Sequence, residues 1–241
     1  KRAVGGIEKY FLEEDTIADV HDLFRIVRDG LTIRVIELVE EDMDREGYGY
    51  PPTNFVWVGM GSEGRDEQTL MTDQDNMILY GQAEDEFGTD FLREGCYEYL
   101  RMNKVVGDTR EITGKHMLDY YFKVFAEKIV ERLHEVGFEK CKGGVMPSNE
   151  KWRGSSSDFH DRLVQRITYE RGIFETLDII ILTDARAIYG DKNLLNSFRQ
   201  DFFRMLTDNK AVMKDLYESA VLMPTALSFF GNFKTEKSGE H

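Results

Sequence analysis

Cysteine is scarce in this 241-residue chain: there are two, Cys96 and Cys141, far apart and without Cys-x-x-Cys spacing. That argues against a disulfide framework or a cysteine-based zinc module and matches a reducing, cytoplasmic setting. Long apolar runs are missing too. No stretch approaches the roughly 18 apolar residues that a membrane span needs, so a membrane partner is not expected. The opening "KRAVGGIEKYFLEED" has no apolar core of a secretory signal and no initiator methionine. It reads as part of something longer or as a processed product. Basic residues are outnumbered, 31 against 45 acidic, for a net charge of −14. A protein that grips nucleic acid without sequence preference needs a basic footprint, so nucleic acid is not an expected partner. Internal repeats and low-complexity tracts are absent.

What is present is the composition of a globular protein, 41% hydrophobic and 32% charged. Residues 16–46 carry apolar side chains at helical spacing (Ile17, Val20, Leu23, Phe24, Val27, Leu31, Val35, Leu38 and Val39), with Asp29-Gly30 as a candidate interruption. "REGYGYPPTN" is a turn-rich break. "NFVWVGM" then reads as a buried strand and "NMILYG" as a second strand ending in a glycine turn. Residues 81–112 read as an acidic insertion with a short helix over 91–102. "HMLDYYFKVFAEKIVERLHEV" predicts an amphipathic helix, "GFEKCKGGVMPSN" a strand and loop, and the chain from Ser157 to about Met223 reads as almost wholly helical. Turns are expected near Gly172, Gly190-Asp191 and Asp208-Asn209.

The chemistry concentrates in "GMGSEGRDEQTLMTDQDN", residues 59–76. If the chain is extended from Asp73, then Asp73 and Asp75 share one face, one pleat apart. Two such carboxylates suit a hard divalent cation, Mg²⁺ or Mn²⁺, which takes oxygen ligands and leaves room for phosphate oxygens. Upstream, Gly61 lets the backbone approach a ligand, and a helix opening at Ser62 would aim N–H groups at an anion. Arg65, one turn on, could donate charge-assisted hydrogen bonds to phosphate. The competing explanation is chance, because an acidic chain produces Asp-x-Asp readily and does so again at Asp42/Asp44. That second pair lies in a Glu-rich helical run, where residues two apart diverge and cannot share an ion.

The order of apolar strand, Gly-Ser, short helix and Asp-x-Asp resembles the polymerase-β-type nucleotidyltransferase superfamily. More narrowly, "GSEGRDEQTLMTDQDN", "CKGGVMPSNEKWR" and "TDARAIYGD" resemble a bacterial nucleotidyltransferase family related to the nitrogen-regulatory uridylyltransferases. Members of that family are often found with cystathionine-β-synthase-type or cyclic-nucleotide-binding regulatory domains. The resemblance covers about residue 54 to the C-terminus. It implies an α+β fold: a polymerase-β-like nucleotidyltransferase domain, with a small mixed sheet and flanking helices, over 49–150. A helical lead-in over 1–48 precedes it, and a helical substrate-binding domain over 151–241, expected to be truncated, follows.

The implied function is Mg-dependent transfer of a nucleoside monophosphate from a nucleoside triphosphate to an acceptor hydroxyl on a protein or small molecule, in signalling or regulation. A second reading is a nucleotide-binding sensor module that turns nothing over, and a third is a scaffold with a vestigial cleft. Carried over, Gly61 and Ser62 hold the phosphates, Asp73 and Asp75 bind the metal as the catalytic pair, Arg65 contacts phosphate, and Glu67 orients it. The superfamily usually supplies a third carboxylate from a later strand. Here the matching strand falls around 137–148, where the carboxylate is Glu139, with Asp184 as a candidate substitute expected on a helix.

Lys142, Lys151, Trp152 and Arg153 form a local basic cluster with two readings. One is nucleotide binding by Lys151 and Arg153 with stacking on Trp152; the other is a surface turn with a packed aromatic. The motif match favours the first. Asp184, Arg186 and Asp191 could line an acceptor pocket, against the more ordinary reading of an Asp184–Arg186 ion pair. The five histidines lack metal-ligand spacing, and Cys141 reads as a small buried thiol.

Overall fold

Alternation along a single strand divides the core of this protein in two. The computed structural model describes residues 17–68, 73–82, 113–169 and 172–222. In chain order the elements are α1 (Ile17–Arg45), β1 (Phe55–Gly59), the single turn α2 (Gly61–Gly64), β2 (Asp73–Gln74), β3 (Asn76–Tyr80), α3 (Gly114–Glu135) and β4 (Glu139–Lys140). A 3-10 turn (Glu150–Trp152) leads into β5 (Arg153–Ser155), followed by α4 (Ser156–Tyr169), α5 (Thr176–Thr183), β6 (Arg186–Gly190), α6 (Lys192–Asp208) and α7 (Lys210–Leu222). The main sheet has strand order β5-β3-β1-β6, with β1 antiparallel to both neighbours and β3 parallel to β5. A separate two-stranded parallel sheet joins β2 to β4.

β1 is buried along its whole length, so both faces of the sheet must be covered. Phe55 and Trp57 point to one side, into a cluster with Val35, Ile36, Val39 and Met43 of α1 and Tyr121, Phe122, Phe125 and Ile129 of α3. Val56 and Val58 point to the other, where Phe159 and Leu163 of α4, Leu182 of α5 and Phe198 and Phe202 of α6 pack with Trp152. The helices on both faces repeat their buried residues every three or four positions, as in Leu195, Phe198, Phe202 and Leu206 of α6. The result is an α+β fold in which a small mixed sheet lies between helices. Among the described residues, no helix is long and apolar enough to cross a membrane.

Three local expectations need correction. Asp29-Gly30 does not interrupt α1, which is continuous over Ile17–Arg45. Gly30 faces open space and costs only about 1 kcal/mol in a helix, less than the flanking apolar phase gains by staying in register. The segment after Ser157 is not wholly helical, because β6 interrupts it and pairs with β1. The sheet thus draws strands from both sides of position 150. Finally, 73–80 is not one strand: the chain leaves the small sheet after Gln74 and enters the main sheet at Asn76. The helix expected over 91–102 lies outside the described residues.

Candidate active site

The end of β1, the α2 turn and the step between β2 and β3 meet at one place. The Met60 N–H donates to the Asp75 carbonyl at 2.8 Å, which fixes the chain at the point where it changes sheets. Gly61 follows with φ +53°, a conformation that favours glycine. A Cβ there would sit 3.2 Å from Asp75 Oδ2, so glycine also keeps the space beside that carboxylate open. Gly64, closing the turn, leaves no room at all, since a Cβ would come within 1.9 Å of the Asp184 carbonyl oxygen.

Asp73 and Asp75 are held by backbone contacts and by the residue between them. Gln74 is fully buried and donates through Nε2 to the Val130 and Phe138 carbonyls, each at 3.2 Å. Gln68 Nε2 donates to the Asp73 carbonyl at 3.4 Å. With Gln74 turned inward, the aspartates turn outward together. Ligand atoms of Asp73, Asp75 and Cys141 all lie within 4.8 Å of one another, with Asp73 at the rim and the other two half-buried. Burial, then the neighbouring Asp73 charge, pushes the Asp75 carboxyl up from its ordinary value, against a hydrogen bond from the Cys141 thiol and the charge of Arg28. Burial likewise pushes the Cys141 thiol up to about 11. Two approaching carboxylates beside an open glycine face make a donor set that a divalent cation fits, because it would relieve their repulsion.

Behind the turn lies a second, buried cluster, of which local patterns mark only Arg28. Glu63 of α2 accepts from Asn76 Nδ2 at 2.6 Å and faces Arg28 Nη2 of α1 at 3.5 Å. Arg28 also lies over the Phe138 ring, 4.7 Å from its centroid. Burial outweighs their attraction on both sides: it lowers Arg28 and pushes Glu63 up to about 7. Arg186 of β6 forks onto Asp29 at 2.7 and 3.0 Å and reaches Asp66 at 2.9 Å. Asp66 holds a left-handed backbone, φ 59°, at the end of the turn. A usable sequence signal for Arg28 exists: it and Thr32 occupy the buried phase of α1, while Leu31, counted in the apolar stripe, is exposed.

The other sequence candidates are distributed as follows. Arg65 donates to Glu67 (Nε at 2.9 Å, Nη2 at 2.8 Å) and pairs through Nη1 with Asp184. Asp184 caps the C-terminus of α5 and does not pair with Arg186. Asp191 is the N-cap of α6 and accepts from Asn193 N–H and Asn54. Lys151 Nζ lies 2.5 Å from Asp178. Arg153 donates to the Pro147 and Ser148 carbonyls. Trp152 is 1% exposed and packs on Phe174, so its ring is core and has no free face for a base. Glu139 is level with Asp73 in the β2–β4 ladder, but it is exposed and outside the Asp73–Asp75–Cys141 group. Asp42 and Asp44 lie in α1, and Asp42 is taken by Arg45 and Arg132.

No curated protein matches the chain. The sequence model of the family described as Putative nucleotidyltransferase DUF294 matches residues 5–172, well over half of the chain, including the 59–76 sequence and the 141–153 sequence. The chain belongs to this nucleotidyltransferase family.

Proposed function

We propose that this protein is a Mg²⁺- or Mn²⁺-dependent nucleotidyltransferase that moves a nucleoside monophosphate from a nucleoside triphosphate to an acceptor hydroxyl, in a regulatory or signalling role in the cytoplasm. The observation that carries this reading is the convergence of Asp73 and Asp75 beside the Gly61 turn. In it, Asp73 and Asp75 hold the ion, and the backbone at Gly61 and Ser62 receives phosphate oxygens without a side chain in the way. Arg65 is kept in orientation by Glu67 and offers its remaining N–H groups to the triphosphate. Lys151 and Arg153 contribute positive charge at the nucleotide only by exchanging their present partners. A bound divalent ion would supply charge compensation on the triphosphate. The acceptor oxygen attacks the α-phosphorus, the bond to the bridging oxygen breaks, and pyrophosphate leaves; the hydroxyl proton passes to a base or to solvent. The division at about residue 150 is part of the proposal, with the segment after it presenting a protein or small-molecule acceptor and regulatory domains of a longer parent chain timing the encounter. With a net charge of −14, nucleic acid is not the expected acceptor.

One observation favours a second reading, a nucleotide-binding sensor. Among the described residues, the third group at the aspartate pair is the Cys141 thiol rather than a carboxylate. Transfer needs a group to take the acceptor proton, whereas binding does not. Incubation with α-labelled ATP, UTP, GTP or CTP, Mg²⁺ or Mn²⁺, and cell extract separates the two. Label on protein or small molecules that disappears in Asp73→Asn supports transfer. Metal-dependent nucleotide binding without any transfer of label supports the sensor.

A further inference from the structure

We infer that Cys141 is a third donor of the metal centre, giving it a mixed oxygen–sulfur ligand set that takes thiophilic divalent ions such as Co²⁺, Zn²⁺ or Cd²⁺ as well as Mg²⁺. This rests on the reading of Asp73 and Asp75 as an ion-holding pair.

The placement follows from the small sheet. β2 and β4 are parallel, with Asp73 opposite Glu139 and Gln74 opposite Lys140. One step beyond the ladder brings Asp75 level with Cys141. Paired residues in a parallel ladder project to the same side, and Gln74 projects into the core. Asp75 and Cys141 therefore emerge together on the side of Asp73, and their ligand atoms converge within 4.8 Å.

The loop that carries the thiol is also fixed. The Gly144 N–H donates to the Cys141 carbonyl at 3.0 Å, and Gly144 has φ +69°, which a tight turn requires. One residue on, the Val145 carbonyl accepts from the N–H of Asn76, the neighbour of Asp75, at 3.0 Å. Val145 itself is anchored in the core. The sulfur is thus tied to the carboxylate from both ends of a short path. A thiol kept only for packing would face apolar groups. This one packs partly against the core but, half-buried, also faces two carboxylates.

A hard ion such as Mg²⁺ demands oxygen ligands and would use the carboxylates alone. A softer ion engages the sulfur, and on coordination the thiol proton is released to solvent. Three protein donors leave further positions for water or triphosphate oxygens.

Co²⁺ titration of the chain without nucleotide tests this, followed by near-ultraviolet absorption, where a thiolate-to-Co²⁺ charge-transfer band reports sulfur ligation, and by calorimetry. The expected result is a band in the unaltered protein that is absent in Cys141→Ser and Cys141→Ala. Both variants should still bind Co²⁺, but about 10–100-fold more weakly, with Mg²⁺ affinity unchanged. Co²⁺ binding without the band, and with equal affinity in Cys141→Ser, overturns the role of the thiol and leaves the aspartate pair standing. If neither Co²⁺ nor Mg²⁺ binds the unaltered protein, the aspartate reading fails and the thiol's role fails with it.

Discussion

Two clusters of charge flank the 59–64 turn, and they are built in opposite ways. Behind it, Arg25 and Arg186 pair with Asp29 and Asp66, and Arg28 pairs with Glu63, three charges of each sign. In front of it, Asp73 and Asp75 share their space with a thiol, and among the described residues no ion pair engages either carboxylate. The rear cluster pairs its charges within the fold, at a desolvation cost that raises the pKa of Glu63 and lowers that of Arg28. The front pair is positioned chiefly by backbone contacts, Met60 N–H on the Asp75 carbonyl, Gln68 on the Asp73 carbonyl, and Gln74 on the far side, with the Cys141 thiol as the side-chain partner of the Asp75 carboxylate. Rigidity and availability are supplied by different atoms of the same residues, which is how a fold keeps two like charges adjacent without neutralising them itself.

Breaking the turn should cost most, because both clusters hang from it. Gly64→Ala places a methyl where the Asp184 carbonyl oxygen already stands, a backbone clash that no side-chain rotation relieves. We expect a loss of about 4 kcal/mol or more, at the exceptional end for one substitution, seen as collapse of the urea-unfolding midpoint. A near-wild-type midpoint would mean that the turn is far softer than its packing indicates.

The rear cluster should respond strongly to pH. Glu63 is pushed up to about 7 from an ordinary 4.5, so the folded protein keeps a proton that the unfolded chain has released. Stability should therefore fall as pH rises from about 4.5 to about 7 and level off above that, by at most about 3 kcal/mol. Glu63→Gln should remove this slope, and Arg28→Met, which deletes the opposing charge, should move its upper end to higher pH. Stability curves for the three proteins that remain parallel across the window would show that Glu63 stays ionised throughout.

By contrast, Asp73→Asn with Asp75→Asn should leave folding unharmed or slightly improved, since it removes a like-charge contact and no ion pair. The same change should abolish Mg²⁺-dependent nucleotide affinity. The comparison between the clusters fails if calorimetry finds metal-dependent binding intact, or if the double variant unfolds as readily as a rear-cluster variant.

What the sequence discloses follows the range of the interactions involved. The buried β1, the Gly61 turn and the Asp73/Asp75 pair depend on alternation and on neighbours within a few positions, and they are legible. The rear cluster is not, because Arg186 meets Asp29 across 157 residues, and no local pattern carries that pairing. β6 is hidden for a similar reason: "RAIYG" is short and only partly buried, and its partner strand is β1, far upstream. Cys141 reads as an ordinary thiol until the parallel register of β2 and β4 sets it level with Asp75. Trp152 is the reverse case, since a basic, aromatic stretch suggests a binding surface but the ring is needed in the core.

The smallest effect on folding, and the finest test of the front site, belongs to Arg65. Its side chain is 45% exposed, and its partners Glu67 and Asp184 form the kind of surface ion pairs that contribute about 0–1 kcal/mol. Arg65→Ala should therefore unfold almost with the unaltered protein. Its effect on ligand binding depends on a competition. The guanidinium can keep Glu67 as a guide through Nε and Nη2 while a phosphate displaces Asp184 from Nη1. The gain to the ligand is then the difference between two anions rather than the full strength of a new contact. On the proposed reading the guanidinium serves the outer phosphates, so Arg65→Ala should weaken triphosphate by about tenfold, or roughly 1.4 kcal/mol, and monophosphate by less. Arg65→Lys should not restore the loss, because an ammonium cannot hold Glu67 and phosphate in one planar fork. Asp184→Asn should act in the opposite direction and tighten triphosphate binding, since it removes the competitor. Equal losses for mono- and triphosphate in Arg65→Ala, together with no gain in Asp184→Asn, would make Arg65 a structural clamp between the turn and α5.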